Sequence, residues 1–156
     1  MSEPASRFES WLESAGHEIA VRRYPAGTRT AEDAARAIGC SVGQIVKSLV
    51  FTAAGRPVVC LVSGSNRVAP DRLGAVAGEP VGKASADLVR EATDYAIGGV
   101  PPFGHAADPP IYMDRDLLLY DVVWAAAGRP DAVFPIQPLR LETLSGVVVA
   151  DLAERP

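Results

Sequence analysis

The segment Gly98-Gly99-Val100-Pro101-Pro102-Phe103-Gly104 combines residues that free the backbone with residues that restrict it. Glycine reaches backbone angles closed to other residues, and its missing side chain lets a ligand approach the main chain. Proline fixes its own backbone angle, which holds the neighbouring N–H groups in place. The segment therefore predicts a cradle for an anion or a carbonyl oxygen, although a rigid connector would have the same composition.

Lys47 stands in a strand-like run, Ile45-Val46-Lys47-Ser48-Leu49-Val50-Phe51. Counting by twos places it on one face with Ile45, Leu49 and Phe51. An ammonium on an apolar face is costly unless a polar or anionic group meets it, or unless its stem lets the charge reach water. Of the 15 basic residues, only Lys47 and Lys83 are lysines, so Lys47 is a second candidate for chemistry.

Helix and strand signals mix along the chain in the way that would position these residues. The spacing predicts helices over about 6–15, 30–39 and 70–77, after Ser85, and over 138–144. Strands are predicted over 18–24, 45–53, 57–63, 111–114, 122–127, 132–134 and 147–149, the second and third joined as a hairpin. This mixture indicates an α+β fold with a mixed sheet, in one domain over residues 1–156.

Composition narrows the function classes. The net charge of −4 argues against a sequence-independent nucleic-acid coat, but it allows an enzyme that contacts one end of an RNA. The start lacks signal-peptide features and the apolar runs are too short to span a membrane, so we expect a cytoplasmic protein. Cys40 and Cys60 are widely separated, and His17 and His105 are the only histidines, so we expect neither a metal nor another cofactor.

Four motifs in order resemble the YbaK and prolyl-tRNA-synthetase-associated editing domains, over roughly residues 17 to 149. They are Asp33-Ala34-Ala35-Arg36-Ala37-Ile38-Gly39, the run from Gln44 to Phe51, the glycine-proline segment, and Val123-Trp124-Ala125-Ala126-Ala127-Gly128. The resemblance implies a barrel-like mixed sheet surrounded by helices. It also implies a trans-editing hydrolase that cleaves the ester of a mischarged aminoacyl-tRNA, typically a proline tRNA carrying a smaller amino acid.

The same resemblance implies roles for particular residues. Lys47 and Gly98 would be catalytic, while the rest of the segment, Gly99, Val100, Pro101 and Pro102, would contact the aminoacyl ester. The further substrate contacts we expect are Tyr24, Thr30, His105 and Ala126. The implied partners are the charged 3′ end of tRNA and, as a further partner, prolyl-tRNA synthetase.

The chemistry of an aminoacyl ester fits these residue types. Its acyl group is already activated, so positioning and oxyanion stabilisation matter more than a strong nucleophile. We expect the Gly98 and Gly99 amides to meet the carbonyl oxygen, and Lys47 to bind the carbonyl or the terminal phosphate. A water would attack, and the ribose hydroxyl beside the ester would accept the proton.

Departures from the family bear on specificity. Cysteine-selective members carry a serine-glycine turn and an acidic residue, where this chain has Ala125 to Pro130 and Val133. Alanine-selective members carry a histidine near the stretch that matches Val133-Phe134-Pro135, and this chain has none there. An apolar wall near Tyr24, Ala126 and Val133 would select alanine or a slightly larger aliphatic side chain by size.

Two other functions stay open on the sequence. One is a binding module that keeps the cradle and recognises an aminoacyl-tRNA end, a nucleotide or a protein without turnover. The other is a small-molecule esterase that uses Ser63 or Ser65 with His105. The stretch Leu61-Val62-Ser63-Gly64-Ser65 lacks the first glycine of a nucleophile elbow, which disfavours the esterase.

Overall fold

A computed structural model describes residues 4–17, 19–24, 28 and 30–155 of the 156-residue chain. The helices in this part are α1 (Pro4–Ser14), α2 (Ala31–Ile38), α3 (Pro70–Ala77), α4 (Ala86–Thr93) and α5 (Pro138–Ser145). The strands are β1 (Arg22–Arg23), β2 (Val46–Ala53), β3 (Arg56–Ser63), β4 (Val81–Lys83), β5 (Ile111–Asp114), β6 (Val123–Ala126), β7 (Ala132–Ile136) and β8 (Val148–Ala150). Short 3₁₀ helices cover Val42–Gln44 and Arg115–Leu119.

Local capping signals set the helix ends as predicted. The Thr30 hydroxyl accepts a hydrogen bond from the Asp33 amide at 3.0 Å, and Gly39 ends α2 in the left-handed region. Ser85 caps α4 in the same way, through the amide of Leu88 at 3.1 Å. Two strand predictions differ from the structure: β4 was not predicted, and the strand expected over 18–24 is only the two residues of β1, with position 18 outside the described residues.

The described strands form two sheets that do not close into a barrel, whereas the family resemblance implied a barrel-like sheet. One sheet has the order β4-β2-β3-β5-β8 and the other the order β1-β7-β6. A single parallel bridge between Ile45 and Trp124 joins the start of β2 to β6. The α+β class and the mixed pairing are confirmed, because β3–β5 and β5–β8 are parallel and the other ladders are antiparallel.

The predicted hairpin is the centre of the larger sheet. β2 and β3 pair antiparallel from Val46 opposite Ser63 to Ala53 opposite Arg56. Ala54 and Gly55 form the turn with positive φ angles of 51° and 77°, the combination that a two-residue turn needs to match the strand twist. The ladder fixes which residues of β2 face each edge.

The main core anchors the end of the glycine-proline segment. Phe103 is buried among aromatic rings, with centroids 5.7 Å from Phe8, 5.5 Å from Trp11 and 5.9 Å from Phe134. Gly104 follows with φ 77°, and a side chain there would meet the Trp11 ring at 3.0 Å. Burial of large aromatic rings is strongly stabilising, so this end of the segment is held by the core.

Within the described residues, no helix is long and apolar enough to cross a membrane. The same part of the chain holds no group of three or more His, Cys, Asp or Glu residues suited to a metal ion. Both cysteines are free, and burial raises the pKa of the Cys60 thiol to about 12.

Candidate active site

A cleft of 680 Å³ is lined by residues of both sheets, of α2 and α4, and of the glycine-proline segment. Its walls are mainly apolar, with charged side chains at a few points. Concave, largely apolar clefts with a few convergent polar groups are typical of small-ligand sites. The cleft therefore brings together parts of the chain that are distant in sequence.

One edge of β2 is open to this cleft. β3 pairs with β2 along its whole length, whereas β4 pairs only with its last three residues. The Gly64 amide donates to the Ile45 carbonyl at 2.7 Å, so the odd-numbered residues point their backbone groups toward β3. Those of Val46, Ser48 and Val50 then point to the other edge, which β4 does not cover at these residues. The buried Ser48 hydroxyl has no hydrogen-bond partner among the described residues.

Lys47 lines the cleft. Its ammonium has a polar partner, as expected for a lysine on an apolar strand face. Nζ donates to the backbone carbonyl of Asn66 at 2.5 Å, from a half-buried position. Burial lowers the pKa of Lys47 from its ordinary value, the carboxylate of Glu32 opposes that shift, and the charge of Arg67 adds to it. The result is an ammonium with a fixed direction beside an apolar wall.

Hydrogen bonds of the Asn66 side chain help to fix the residue whose backbone carbonyl binds Lys47. The Asn66 side-chain amide donates to Asp116 at 2.7 Å and to Asp114 at 3.4 Å. Asp116 also forms an ion pair with Arg155 at 2.8 Å. The hydrogen bond from Arg155 is the largest cause of the lowered pKa of Asp116, and the bond from Asn66 lowers it further. A polar network from the C-terminal end thus reaches the partner of Lys47.

The glycines of the glycine-proline segment have different surroundings. Gly98 lines the cleft with φ 92°, and its amide donates to no acceptor among the described residues. The Gly99 amide instead donates to the carbonyl of Ala96 at 3.0 Å. We expected this amide to bind the oxyanion, but the turn itself uses it. A side chain at Gly99 would lie 3.1 Å from the backbone of Arg129, so a larger residue would fit there only if that backbone shifted.

The remainder of the segment divides between the cleft and the interior. Val100 lines the cleft, whereas Pro101 and Pro102 are buried outside its lining. His105 lines a separate cavity of 260 Å³, together with Trp11. Its Nε2 lies 2.6 Å from the Pro101 carbonyl, which can only accept, so Nε2 carries the proton. Burial lowers the pKa of His105, while this hydrogen bond partly opposes the shift.

Of the other residues expected to contact substrate, some line the cleft and one does not. Thr30 and Ala126 line the cleft, as does Val133, which pairs with Ala126 across β6 and β7. Tyr24 is not among the lining residues, and its amide donates to the Asp131 carbonyl at 2.8 Å beside β1. The aromatic residues that the described lining does contain are Phe51 and Trp124.

The serine-histidine alternative has no geometric support. The Ser63 hydroxyl donates to the Gly43 carbonyl at 2.7 Å and lies 3.0 Å from the Ser65 hydroxyl. His105 lies in the other cavity and bonds to Pro101. The described part of the chain therefore has no hydrogen-bonded serine-histidine pair.

Sequence reasoning missed four polar residues that line the cleft: Thr28, Glu32, Ser48 and Lys83. Glu32 lies in the first turn of α2. A carboxylate is common at this position because the helix dipole stabilises negative charge there. Ser48 follows Lys47 in a strand, where no spacing rule marks it. The part of β2 that β4 leaves unpaired could not be predicted from the sequence, because it depends on where β4 ends.

The chain belongs to the aminoacyl-tRNA editing domain family, whose model matches residues 25–144. This finding confirms the resemblance drawn from the four motifs. Over 99% of both chains, the fold matches the crystal structure of a protein proposed to be a trans-editing enzyme for prolyl tRNA synthetase, with a TM-score of 0.93 and 47% identity.

Two curated relatives extend the comparison. The uncharacterized protein YwhH of Bacillus subtilis is 31% identical over 141 residues, covering 90% of this chain and 87% of the relative. The proline–tRNA ligase of Maridesulfovibrio salexigens is 31% identical over 106 residues, or 67% of this chain. The matched part is only 18% of that ligase, so the similarity concerns one portion of it.

Proposed function

We propose that this chain is a trans-editing deacylase, a hydrolase that cleaves the ester of mischarged aminoacyl-tRNA. Its substrate would be a proline tRNA that carries alanine or a similar small aliphatic amino acid. The observation that supports this most is that Lys47 and Gly98 line the same cleft in a fold of the editing family. The Lys47 ammonium is held by the Asn66 carbonyl, and the Gly98 amide has no acceptor among the described residues.

The residues divide the chemistry as follows. The Gly98 amide stabilises the negative charge that develops on the ester carbonyl oxygen, and it requires no reorganisation because the turn is already formed. Lys47 binds the same carbonyl or the adjacent phosphate. A water attacks the carbonyl carbon and gives a proton to the ribose hydroxyl beside the ester. That hydroxyl passes its own proton to the ester oxygen, which leaves as a ribose hydroxyl when the acyl C–O bond breaks.

Specificity would come from the apolar wall formed by Val100, Ala126 and Val133. One methylene more or less contributes about 1–3 kcal/mol of discrimination in such a pocket. Size alone therefore favours a small aliphatic side chain, and the correct prolyl ester would be rejected sterically. Ala126 and Val133 carry no polar group that would select a thiol or hydroxyl.

The second lysine of the cleft could bind the terminal nucleotide of the RNA. Lys83 lines the cleft from β4 and pairs across the strands with Phe51. Residues directly opposite in an antiparallel ladder share a face, so Lys83 lies on the face of Lys47, about 13 Å further along β2. We assign Lys83 to a phosphate of the RNA. Residues 1–156 would act as one cytoplasmic domain, alone or with prolyl-tRNA synthetase.

The test is a panel of proline tRNAs charged with alanine, 2-aminobutyrate, serine, cysteine or proline. The wild-type protein should release one or more of the small amino acids and spare proline. Lys47→Ala should lower kcat/KM by more than about 100-fold. Arg56→Ala, which removes an exposed cation from the same hairpin outside the cleft, should leave it unchanged.

Hydrolysis of no member of the panel would refute the deacylase. Saturable binding of a charged tRNA whose ester then survives for hours would favour the binding module. Turnover of simple esters without tRNA, lost in Ser63→Ala, would favour the esterase.

A further inference from the structure

Charged side chains are few in the cleft. The described lining residues include two cations, Lys47 and Lys83, and one carboxylate, Glu32. The lysines are accounted for by the ester and the RNA phosphate. Glu32 has no role in the proposed reaction.

Glu32 is held in position by its helix. Thr30 caps α2, and Ala34 and Ala35 pack against Ile45 at the start of β2, so the first turn of α2 is fixed beside that strand. Asp33, the next residue, lies 3.5 Å from Arg36, whereas no cation in the described part of the chain forms an ion pair with Glu32. The Glu32 carboxylate is exposed to the cleft.

Glu32 and Lys47 line the same cleft. The charge of Glu32 acts on the Lys47 ammonium and raises the pKa of that lysine against the effect of burial. The cleft therefore holds a carboxylate that interacts with the charge of Lys47, the residue assigned to the ester carbonyl.

The proposed substrate carries one cation. The α-amino group of an amino acid ester has a pKa close to that of a chain terminus, about 7.7–8.0, so much of it is charged at neutral pH. It sits on the carbon next to the ester carbonyl. A lysine that binds the carbonyl would repel this ammonium unless a carboxylate compensates, because like charges a few ångströms apart repel.

We propose that Glu32 binds the α-ammonium of the aminoacyl group and restricts the cleft to esters with a free α-amine. This inference rests on the proposed function. It assigns Glu32 a role in substrate binding and leaves the proton transfer to the ribose hydroxyl.

The experiment pairs two substrates that differ only at the α-position. Proline tRNA charged with alanine has an α-ammonium, and the same tRNA charged with lactate has a neutral hydroxyl in its place. Glu32→Gln keeps the shape and removes the charge. Asp33→Asn is the matched control, because it removes a charge from the same helix turn outside the cleft lining.

Glu32→Gln should lower kcat/KM for the alanyl ester about tenfold, equivalent to about 1.4 kcal/mol, and change the lactyl ester less than twofold. Asp33→Asn should change neither. An equal loss with both esters would overturn the inference, since it would indicate general-base or structural action. No loss with either ester would overturn it as well.

A binding measurement separates this inference from the proposed function. Stable amide analogues of alanyl-adenosine and lactyl-adenosine are titrated calorimetrically, without any hydrolysis. Weaker binding of the alanyl analogue alone to Glu32→Gln supports the inference even if the wild-type protein proves inactive. Equal binding of both analogues to wild type and variant refutes it even if the deacylase is active.

Discussion

Gly98→Ala tests the glycine-proline segment most directly. Gly98 has φ 92°, in the region where an L-residue places its Cβ against the following carbonyl. Adopting that conformation costs alanine roughly 1–2 kcal/mol. The variant must either keep the turn and carry this strain, or relax the turn and move the amide that would face the ester oxygen.

A second variant with a similar loss of stability serves as the control. Gly78 ends α3 with φ 81°, is exposed, and has nothing within 4 Å of an added side chain. Gly78→Ala therefore carries similar backbone strain far from the cleft. For a chain of this size 1 kcal/mol shifts Tm by about 2–4 °C, so both variants should lose roughly 2–8 °C.

The two variants should separate in activity. Loss of one oxyanion donor lowers kcat by about 10²–10³, so Gly98→Ala should fall into that range while Gly78→Ala stays within about twofold of wild type. Single-turnover deacylation of alanyl-tRNA, run well below both melting temperatures, measures the chemical step. A folded Gly98→Ala protein with wild-type kcat would refute the assignment of the Gly98 amide to the reaction.

Two further predictions concern residues outside the cleft. Asp116→Ala frees the Asn66 side chain and should lower kcat about tenfold with KM unchanged, because a small displacement of a positioned group is costly. His105 is buried with a lowered pKa, so the unfolded chain binds more protons just below pH 6.5, and stability should fall as the pH drops through that range. His105→Gln should reduce this acid-side loss of Tm.

Each of these predictions has its own comparison. Asp151 also pairs with Arg155 but does not contact Asn66, so Asp151→Ala should keep kcat. Equal losses in both aspartate variants would show that only the ion-pair cluster matters. For the acid sensitivity, the melting temperatures of His105→Gln and wild type are compared at pH 5 and pH 7. An unchanged pH slope of Tm in His105→Gln would contradict the account of His105.

The local elements were predictable because their signals lie within a few residues. Thr30 and Gly39 bracket α2, and the turn at Ala54 and Gly55 defines the hairpin. β4 escaped prediction, since Val81-Gly82-Lys83 is too short to show a pattern and exists by pairing with β2. The mixed sheet was predicted, but it does not close into a barrel, because closure depends on long-range pairing and the described strands of the two sheets meet at an isolated bridge.

The sequence by itself determined the α+β class, the family and two residues of the candidate site, Lys47 and Gly98. Their types carry the information, since a lysine on an apolar strand and a glycine in a proline turn are chemically conspicuous. Only the tertiary structure decided what surrounds them. The Asn66 carbonyl that accepts from Lys47 and the Glu32 carboxylate that lines the cleft are ordinary groups in the sequence. They acquire a role through packing contacts between distant segments, which local patterns do not encode.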